Sequence, residues 1–313
     1  MIARRHIRLK VMQSLYSYFS NPSNEMSISE KEMAKDIRSI SELHIIIISF
    51  IIELHTYATD FLEENKTKYI PSKEDLNPNT KFLNNRIITA LKKDELLNKK
   101  VSRISSIWRK NDLDIIRKVF VEMYKSQQYS DYLNNKKDDF NQDKKFVQIM
   151  LNEYILDNDI FHFILQEKSI FWTDDLPFVS MFLKGQINNM KENNNNSLVT
   201  DVFKNNDDKK FAVDLFRKTI NNADEFEQLI ESKVKNWELE RISKIDLLLI
   251  KMALTEVISF KEMPIKVSFN EYIEISKYYS TQNSKVFING VLDKIVSQYT
   301  REGKVKKVGR GLV

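Results

Sequence analysis

The stretch PIKVSFNEYIEISKYYSTQNSKVFINGVLDK, from Pro264 to Lys294, contains two short helical patterns joined by a polar break. Ser268 and Glu271 form an S-x-x-E capping box just ahead of apolar residues at helical spacing, which predicts a helix that begins at about residue 269. A second apolar stripe follows a polar segment rich in residues that commonly cap helices. The stripe comprises Phe287, Ile288, Val291, Leu292, Ile295 and Val296, and the candidate caps are Ser280, Thr281, Asn283 and Ser284. The stretch therefore predicts two helices with a short turn between them.

Gly290 lies inside the second predicted helix, where glycine costs about 1 kcal/mol relative to alanine. That cost indicates that something needs the space of the missing side chain. Close approach of another helix is the ordinary reason, and approach of a nucleic-acid backbone is the alternative.

Glycine and proline are scarce, because the 313 residues contain only five of each, and this scarcity favours an all-α protein. The length allows a substantial core in one to three domains. The absence of cysteine excludes a disulfide framework, a zinc–cysteine site and a cysteine nucleophile, and it fits a reducing compartment. The N-terminus has no apolar core of signal-peptide length, so we expect a cytoplasmic protein.

The longest apolar run, from Ile45 to Ile52, is interrupted by Ser49. It is far shorter than the roughly 18 to 20 residues that a membrane span requires. Its consecutive isoleucines would also suit a strand, but the long helical continuation favours a core helix. We therefore expect no membrane association.

Helical periodicity recurs through the middle of the chain, near residues 33–62, 82–97, 104–133, 144–166 and 176–190. Polar breaks separate these segments.

The chain also contains an internal echo. A shift of 65 residues aligns Asp143–Trp172 with Asp208–Trp237, with nine of thirty positions identical. The echo indicates either a diverged repeat or two helical hairpins with the same cap and core spacing. A true repeat predicts matching helix boundaries.

Both termini are basic, although the net charge of the chain is only +5. The C-terminal block, residues 301–313, contains five cations among glycines. It predicts a flexible basic tail that either meets phosphate or aids solubility.

The N-terminal segment projects as a helix whose stripe changes from basic to apolar after residue 8. Helix N-termini carry positive partial charge, and arginine adds planar donors that suit phosphate and can stack on bases. Arg4, Arg5 and Arg8 therefore predict a phosphate-binding end. Tyr16 lies at the margin of the stripe, where it either stacks on a ligand or packs in the core, and core packing is the usual outcome.

A further helical stripe, from Glu240 to Phe260, carries two carboxylates, with Glu256 in its middle and Asp246 at its edge. Buried carboxylates need partners. We expect Glu256 to bond to a neighbouring helix end, and we expect the less enclosed Asp246 to face a protein partner.

Together these segments resemble the NusB family of bacterial transcription antitermination factors. RRHIRLKVMQSLYSY, at Arg4–Tyr18, resembles the family's arginine-rich first helix, and Lys210–Trp237 resembles its next long helices. Arg241–Val257 resembles its RxxxxDxxxxxxAxxE helix, and Val267–Lys294, with the specific motif NGVLDK, resembles its closing pair. The resemblance covers residues 4–20 and about 205–300, little more than a third of the chain.

The resemblance implies a two-lobed all-α bundle that is expanded in this chain. We expect residues 1–20 to form the basic first helix and residues 201–300 the helical core. Residues 21–200 would form a helical insertion or an expanded N-terminal region, and residues 301–313 the flexible tail.

The family implies a non-enzymatic adaptor, without a cofactor, that supports ribosomal RNA transcription. Such an adaptor binds boxA-type single-stranded RNA of ribosomal RNA leaders together with ribosomal protein NusE, within the transcription elongation complex with RNA polymerase. By motif match, RNA contacts come from the first helix and from the turn before the last helix, namely Arg4, Arg5, Arg8, Lys10, Ser280, Asn283, Ser284 and Lys285. The positions that resemble the NusE surface are Tyr16, Arg241 and Asp246.

The sequence also departs from the family. Tyr279-Ser280 stands in place of an aromatic–glycine pair, Gln282-Asn283 in place of an acidic pair, and His6 at an often basic position. The turn is therefore less negative, so its RNA preference is expected to differ.

Two other classes of function compete with this reading. A NusB-like domain also precedes an RNA cytosine methyltransferase, but this chain has no glycine-rich cofactor loop and no cysteine, and its four histidines lack ligand spacing. We expect His44 and His55 to be surface or satisfied core residues. The second alternative is a non-enzymatic helical scaffold that binds proteins through the middle segment.

Overall fold

The computed structural model describes residues 2–21, 25–104, 108, 113–169, 171–192, 197–234 and 242–308, and in these ranges the secondary structure is helical with no strand. The helices are α1 Arg4–Ser20, α2 Met26–Lys66, α3 Lys73–Leu76, α4 Arg86–Lys93, α5 Glu95–Ile104, α6 Leu113–Tyr124, α7 Gln127–Asn134, α8 Phe140–Ile149 with a π-helical continuation Met150–Leu156, α9 Asp159–Lys168, α10 Trp172–Asn189, α11 Asn206–Asn221, α12 Ala223–Lys233, α13 Lys244–Ser259, α14 Ile265–Tyr279 and α15 Ser284–Arg301. The predicted all-α class is confirmed. None of these helices is long and apolar enough to span a membrane.

The chain divides into two compact units. The bipartite unit consists of residues 1–37 and 202–313, and the middle unit consists of residues 38–201. The second boundary lies next to the one expected at residue 200. The first boundary lies inside α2, whose opening turns belong to the bipartite unit.

Helix α13 forms the centre of the bipartite unit. Every residue from Leu248 to Val257 is buried, which is the pattern of a helix with neighbours on all sides. Helices α1, α11, α12, α14 and α15 all pack against it. Buried polar groups on α13 are therefore expected to bond to neighbouring helices.

Helix α14 begins at Ile265, with Pro264 as its N-cap residue, and so starts earlier than expected. The predicted capping box is wrong, because Ser268 and Glu271 lie inside the helix and bond to other helices. The Ser268 hydroxyl donates to Glu256 of α13, and the Glu271 carboxylate accepts from Arg5 of α1. Ser268 and Glu271 therefore form hydrogen bonds with distant residues instead of capping their own helix.

The segment after α15 runs past the end of α13. Lys307 Nζ donates to the carbonyl oxygen of Phe260 at 3.0 Å, and the backbone N–H of Val308 donates to the carbonyl oxygen of Lys261 at 3.1 Å. Burial lowers the pKa of Lys307, and the charge of Glu256 opposes that shift. The expected flexible tail is thus attached as far as Val308, and Gly309–Val313 lie outside the described residues.

In the middle unit, the isoleucine-rich run lies in α2, where residues 45–51 are all buried, so the predicted core helix is confirmed. The two histidines of α2 are satisfied core residues. His44 Nε2 lies 2.6 Å from Gln186 Oε1, and His55 Nε2 lies 3.0 Å from the carbonyl oxygen of Leu83. Burial lowers the pKa of His44 to about 4. The described residues contain no cluster of side chains suited to a metal ion.

The internal echo has matching helix boundaries. Shifted by 65 residues, α11 spans 141–156 and α12 spans 158–168, whereas α8 with its π-helical continuation spans 140–156 and α9 spans 159–168. The buried positions agree as well, since Phe146 and Phe161 correspond to Phe211 and Phe226, and all four are buried. This agreement is the one that a diverged repeat predicts. Trp237 lies outside the described residues.

The two hairpins also share a buried aspartate. Asp208 near the start of α11 accepts from Arg4 Nε at 2.9 Å, and Asp143 near the start of α8 accepts from Arg86 Nη1 at 2.9 Å. Arg4 and Arg86 are the first residues of α1 and α4, the helices that pack on α11 and α8. The same pairing of a helix start with a hairpin therefore occurs in both units.

Gly290 lies on the exposed side of α15, and a Cβ atom built there meets nothing within 4 Å. The prediction that another helix approaches this glycine is therefore wrong. The alternative, approach of a nucleic-acid backbone, stays open.

Replacing Gly290 by alanine is expected to stabilise the protein by about 0.5–1 kcal/mol, because alanine is the better helix former and has room for its methyl group. Gly303→Ala serves as the control and is expected to destabilise, because Gly303 has φ +69°. Urea unfolding followed by circular dichroism measures both. A loss of stability in Gly290→Ala would contradict the open space at this position.

Candidate nucleic-acid interface

Arg4 and Arg5 occupy the first turn of α1 and reach the surface, with 44% and 55% of their side chains exposed. Each is held by one carboxylate from a different helix. Arg4 Nε donates to Asp208 of α11 at 2.9 Å, and Arg5 donates through Nε and Nη2 to the two oxygens of Glu271 of α14, at 3.0 and 2.8 Å. These pairs hold two arginines in place while part of each side chain stays exposed.

Arg8 lies one turn further along α1 and is only 2% exposed. Its Nε and Nη2 atoms donate to the two oxygens of Glu256, at 2.8 and 2.7 Å. The hydroxyls of Ser268 and Tyr272 donate to the same carboxylate, at 2.7 and 2.8 Å. Four donors therefore surround one fully buried carboxylate, which is the condition under which a buried charge is tolerated.

Protonation shifts follow from this network. Burial by itself would lower the pKa of Arg8, but the hydrogen bonds and the charge of Glu256 raise it above its ordinary value. Burial, and then the charge of Glu256, raise the pKa of Tyr272 well above its usual range. Both shifts favour the pairing of a charged Arg8 and a neutral Tyr272 with the Glu256 carboxylate.

Glu256 does bond to a neighbouring helix end, as expected, since Ser268 lies in the first turn of α14. Its principal partner, Arg8, is a residue that the sequence assigned to RNA. Lys10 is likewise only 1% exposed and pairs with Asp36 of α2 at 3.1 Å. The structure therefore encloses Arg8 and Lys10 and leaves Arg4 and Arg5 on the surface.

The turn before α15 is built around a buried hydroxyl. Ser284 is 1% exposed, and its Oγ donates to Asp246 Oδ2 at 2.7 Å and accepts from the backbone N–H of Thr281 at 3.1 Å. Ser280 is half-buried in the same cluster, 3.0 Å from Ser284. Asn283 and Lys285 flank Ser284 and are exposed. Of the four predicted RNA contacts in this turn, these two are accessible and the serines shape the turn.

Two of the three residues predicted to contact NusE, Asp246 and Tyr16, also differ in their exposure from what was expected. Asp246 is 5% exposed, so the expectation that it is less enclosed is wrong. Its Oδ1 atom has no hydrogen-bond partner among the described residues. Tyr16 is 43% exposed on α1 and does not pack in the core. Arg241 lies outside the described residues.

Sequence reasoning missed the carboxylates that hold the surface arginines. Asp208 stands in a polar helix start, and Glu271 matched a local capping motif. Neither signal points to α1, because 204 and 266 residues separate these carboxylates from their arginines.

A family profile described as NusB family matches residues 178–297. The protein of Desulfatibacillum aliphaticivorans named transcription antitermination protein NusB is 41% identical over 98 residues, which are 31% of this chain and 68% of that protein. The chain belongs to the NusB family.

Other NusB proteins give similar matches over a smaller part of their length. The NusB protein of Salinibacter ruber is 47% identical over 103 residues, covering 33% of this chain and 64% of that protein. The NusB protein of Chloroherpeton thalassium is 39% identical over 105 residues, covering 34% and 50%. This chain thus spans less than two thirds of these two relatives. No solved structure matches.

Replacing Arg8 by methionine is expected to destabilise the protein by about 3–5 kcal/mol, because it leaves the charge of Glu256 buried and unpaired. Arg8→Met/Glu256→Gln is expected to recover part of that loss, because the amide is uncharged and still bonds Ser268 and Tyr272. Urea unfolding gives both values. An Arg8→Met variant with unchanged stability and weaker RNA binding would contradict this structural role and would support the predicted RNA contact of Arg8.

Proposed function

We propose that this NusB-family protein is a transcription antitermination factor that binds boxA-type RNA of ribosomal RNA leaders together with ribosomal protein NusE. The observation that carries the proposal is the pair of exposed arginines, Arg4 and Arg5, fixed by carboxylates at the start of α1. Arginine offers planar donors for phosphate and a face on which bases stack. The protein would act without a cofactor, within the elongation complex with RNA polymerase, as a non-enzymatic adaptor.

The second side of the RNA surface is the turn before α15, with Asn283 and Lys285 exposed. The two sides lie at different levels of α13, because Glu256 pairs with α1 and Asp246 pairs with the turn. Ten residues of helix correspond to about 15 Å. A single strand that contacts both sides must therefore run along the bundle, which favours an extended, unpaired RNA segment over a point contact.

Arg8 and Lys10 support this surface from within and do not touch the RNA. Arg8 ties α1 to α13 and α14, so the start of α1 keeps its position relative to Glu271. Ser280 and Ser284 have the corresponding role in the turn.

Arg4→Gln/Arg5→Gln is expected to weaken binding of boxA-type RNA and to lower the slope of log affinity against log salt by roughly 1.4, because two phosphate contacts are lost. The matched control is Arg217→Gln, which removes another exposed arginine paired with a glutamate, Glu30, in the same unit. Fluorescence anisotropy with boxA-type and scrambled RNA at two salt concentrations measures the effect. Equal losses in control and test variants would contradict the assigned surface.

Tyr16→Ala is expected to reduce the gain in boxA affinity that NusE provides, while the affinity of the protein alone for RNA stays unchanged. The reason is that Tyr16 is exposed and matches the family's NusE surface. The same anisotropy titration, with and without NusE, reports both quantities. Asp246 is unsuitable for this test, because replacing a buried group also disturbs the turn that it supports.

A non-enzymatic scaffold that binds proteins through the middle unit is the second candidate. The separate compact core of residues 38–201 favours it. Binding of a protein partner with no affinity for RNA would support that candidate against the first.

A further inference from the structure

One face of α14 carries two exposed residues, Val267 and Tyr278, with the partly exposed Glu271 and Glu274 between them. Val267, Glu271, Glu274 and Tyr278 recur at spacings of four, three and four residues, which places them on one side of the helix. The buried residues of α14, among them Phe269 and Tyr272, lie on the other side. Tyr278 is 82% exposed, which is the largest value for an aromatic residue in the described part of the bipartite unit. We call this face the α14 stripe.

The α14 stripe connects the two sides of the proposed RNA surface. Arg5 is bonded to Glu271 on the stripe, and Tyr278 follows seven residues later, about 10 Å along the helix axis. The turn with Ser280 and Asn283 comes directly after the helix, and Lys285 follows in the first turn of α15. Along the chain, Tyr278 therefore lies between Glu271, which binds Arg5, and the start of α15.

The charges on the α14 stripe cancel locally. Glu271 pairs with Arg5, and Glu274 pairs with Lys277. The hydrogen bond from Lys277 lowers the pKa of Glu274, which keeps that carboxylate ionised. A surface with neutralised carboxylates attracts phosphate weakly, but its oxygens can accept from the N–H groups of bases.

We propose that the α14 stripe is the surface on which the bases of single-stranded RNA lie, with Tyr278 stacking on one base. Arg4, Arg5 and Lys285 hold the backbone at the two ends. Cations that track the backbone, combined with an exposed aromatic ring, form the usual arrangement for single-stranded nucleic acid. This inference rests on the proposed RNA binding and extends it to Tyr278, which was not among the predicted RNA contacts.

The first test compares three variants in the anisotropy assay. Tyr278→Ala is expected to bind boxA-type RNA roughly tenfold more weakly, because base stacking on one aromatic ring is lost. Tyr278→Phe is expected to bind almost as tightly as the wild type, because the ring remains. Tyr69→Ala is the matched control, since Tyr69 is 100% exposed in the middle unit, and it is expected to change nothing.

The second test reads stacking directly. Tyr278→Trp is titrated with oligouridylate, and its fluorescence is compared with that of the wild type, which contains three tryptophans, and of Tyr69→Trp. Quenching beyond both references supports stacking at position 278. Unchanged RNA affinity in Tyr278→Ala, together with no added quenching, would overturn the proposal and leave a protein partner as the occupant of the α14 stripe.

The two tests separate this inference from the proposed function. Selective, NusE-dependent RNA binding that does not change in Tyr278→Ala would contradict the stacking surface but support the proposed function. Unselective RNA binding that is weaker in Tyr278→Ala and quenches the fluorescence of Tyr278→Trp would support the stacking surface but contradict the antitermination role.

Discussion

The ion pair between Arg8 and Glu256 is the interaction on which the bipartite unit depends. It joins the first helix to the central helix across 248 residues of sequence, and it lies where neither charge can reach water. Its attraction offsets the cost of burial only because Ser268 and Tyr272 complete the coordination of the carboxylate. Through this pair and its contact with Glu271, Arg8 joins α1 to both α13 and α14.

The Arg8–Glu256 pair joins residues on either side of the middle unit in the sequence. Closing a long loop costs only slightly more entropy than closing a shorter one, so such a pair tolerates a long intervening segment. The middle unit has its own buried core, including the isoleucine run of α2. One of its hairpins matches α11 and α12 in helix boundaries and in its aspartate–arginine pair. This match is the one that a diverged repeat predicts.

The sequence predicted the parts of the molecule that depend on local pattern. The all-α class, the core helix at Ile45 and the last two helices follow from apolar spacing and from the scarcity of glycine and proline. The partners of charged residues were not predictable in this way. Arg5 and Arg8 have the same local chemistry, yet one is exposed and the other is buried, because only Arg8 faces Glu256. Ser268 and Glu271 formed a convincing local motif that distant partners overrode.

Charged groups at both ends of α13 complement its helix dipole. Asp246 lies in the first turn, where the positive end of the helix dipole favours an anion, and Lys307 bonds to the carbonyl of Phe260, where the negative end favours a cation. Glu256 is the exception, because it lies close to the negative end and is repelled by the last free carbonyls of its own helix. Arg8 and Lys307 therefore both place positive charge near the negative end of α13. Residues from the two basic ends of the sequence, which are far apart along the chain, thus stabilise the same end of one helix.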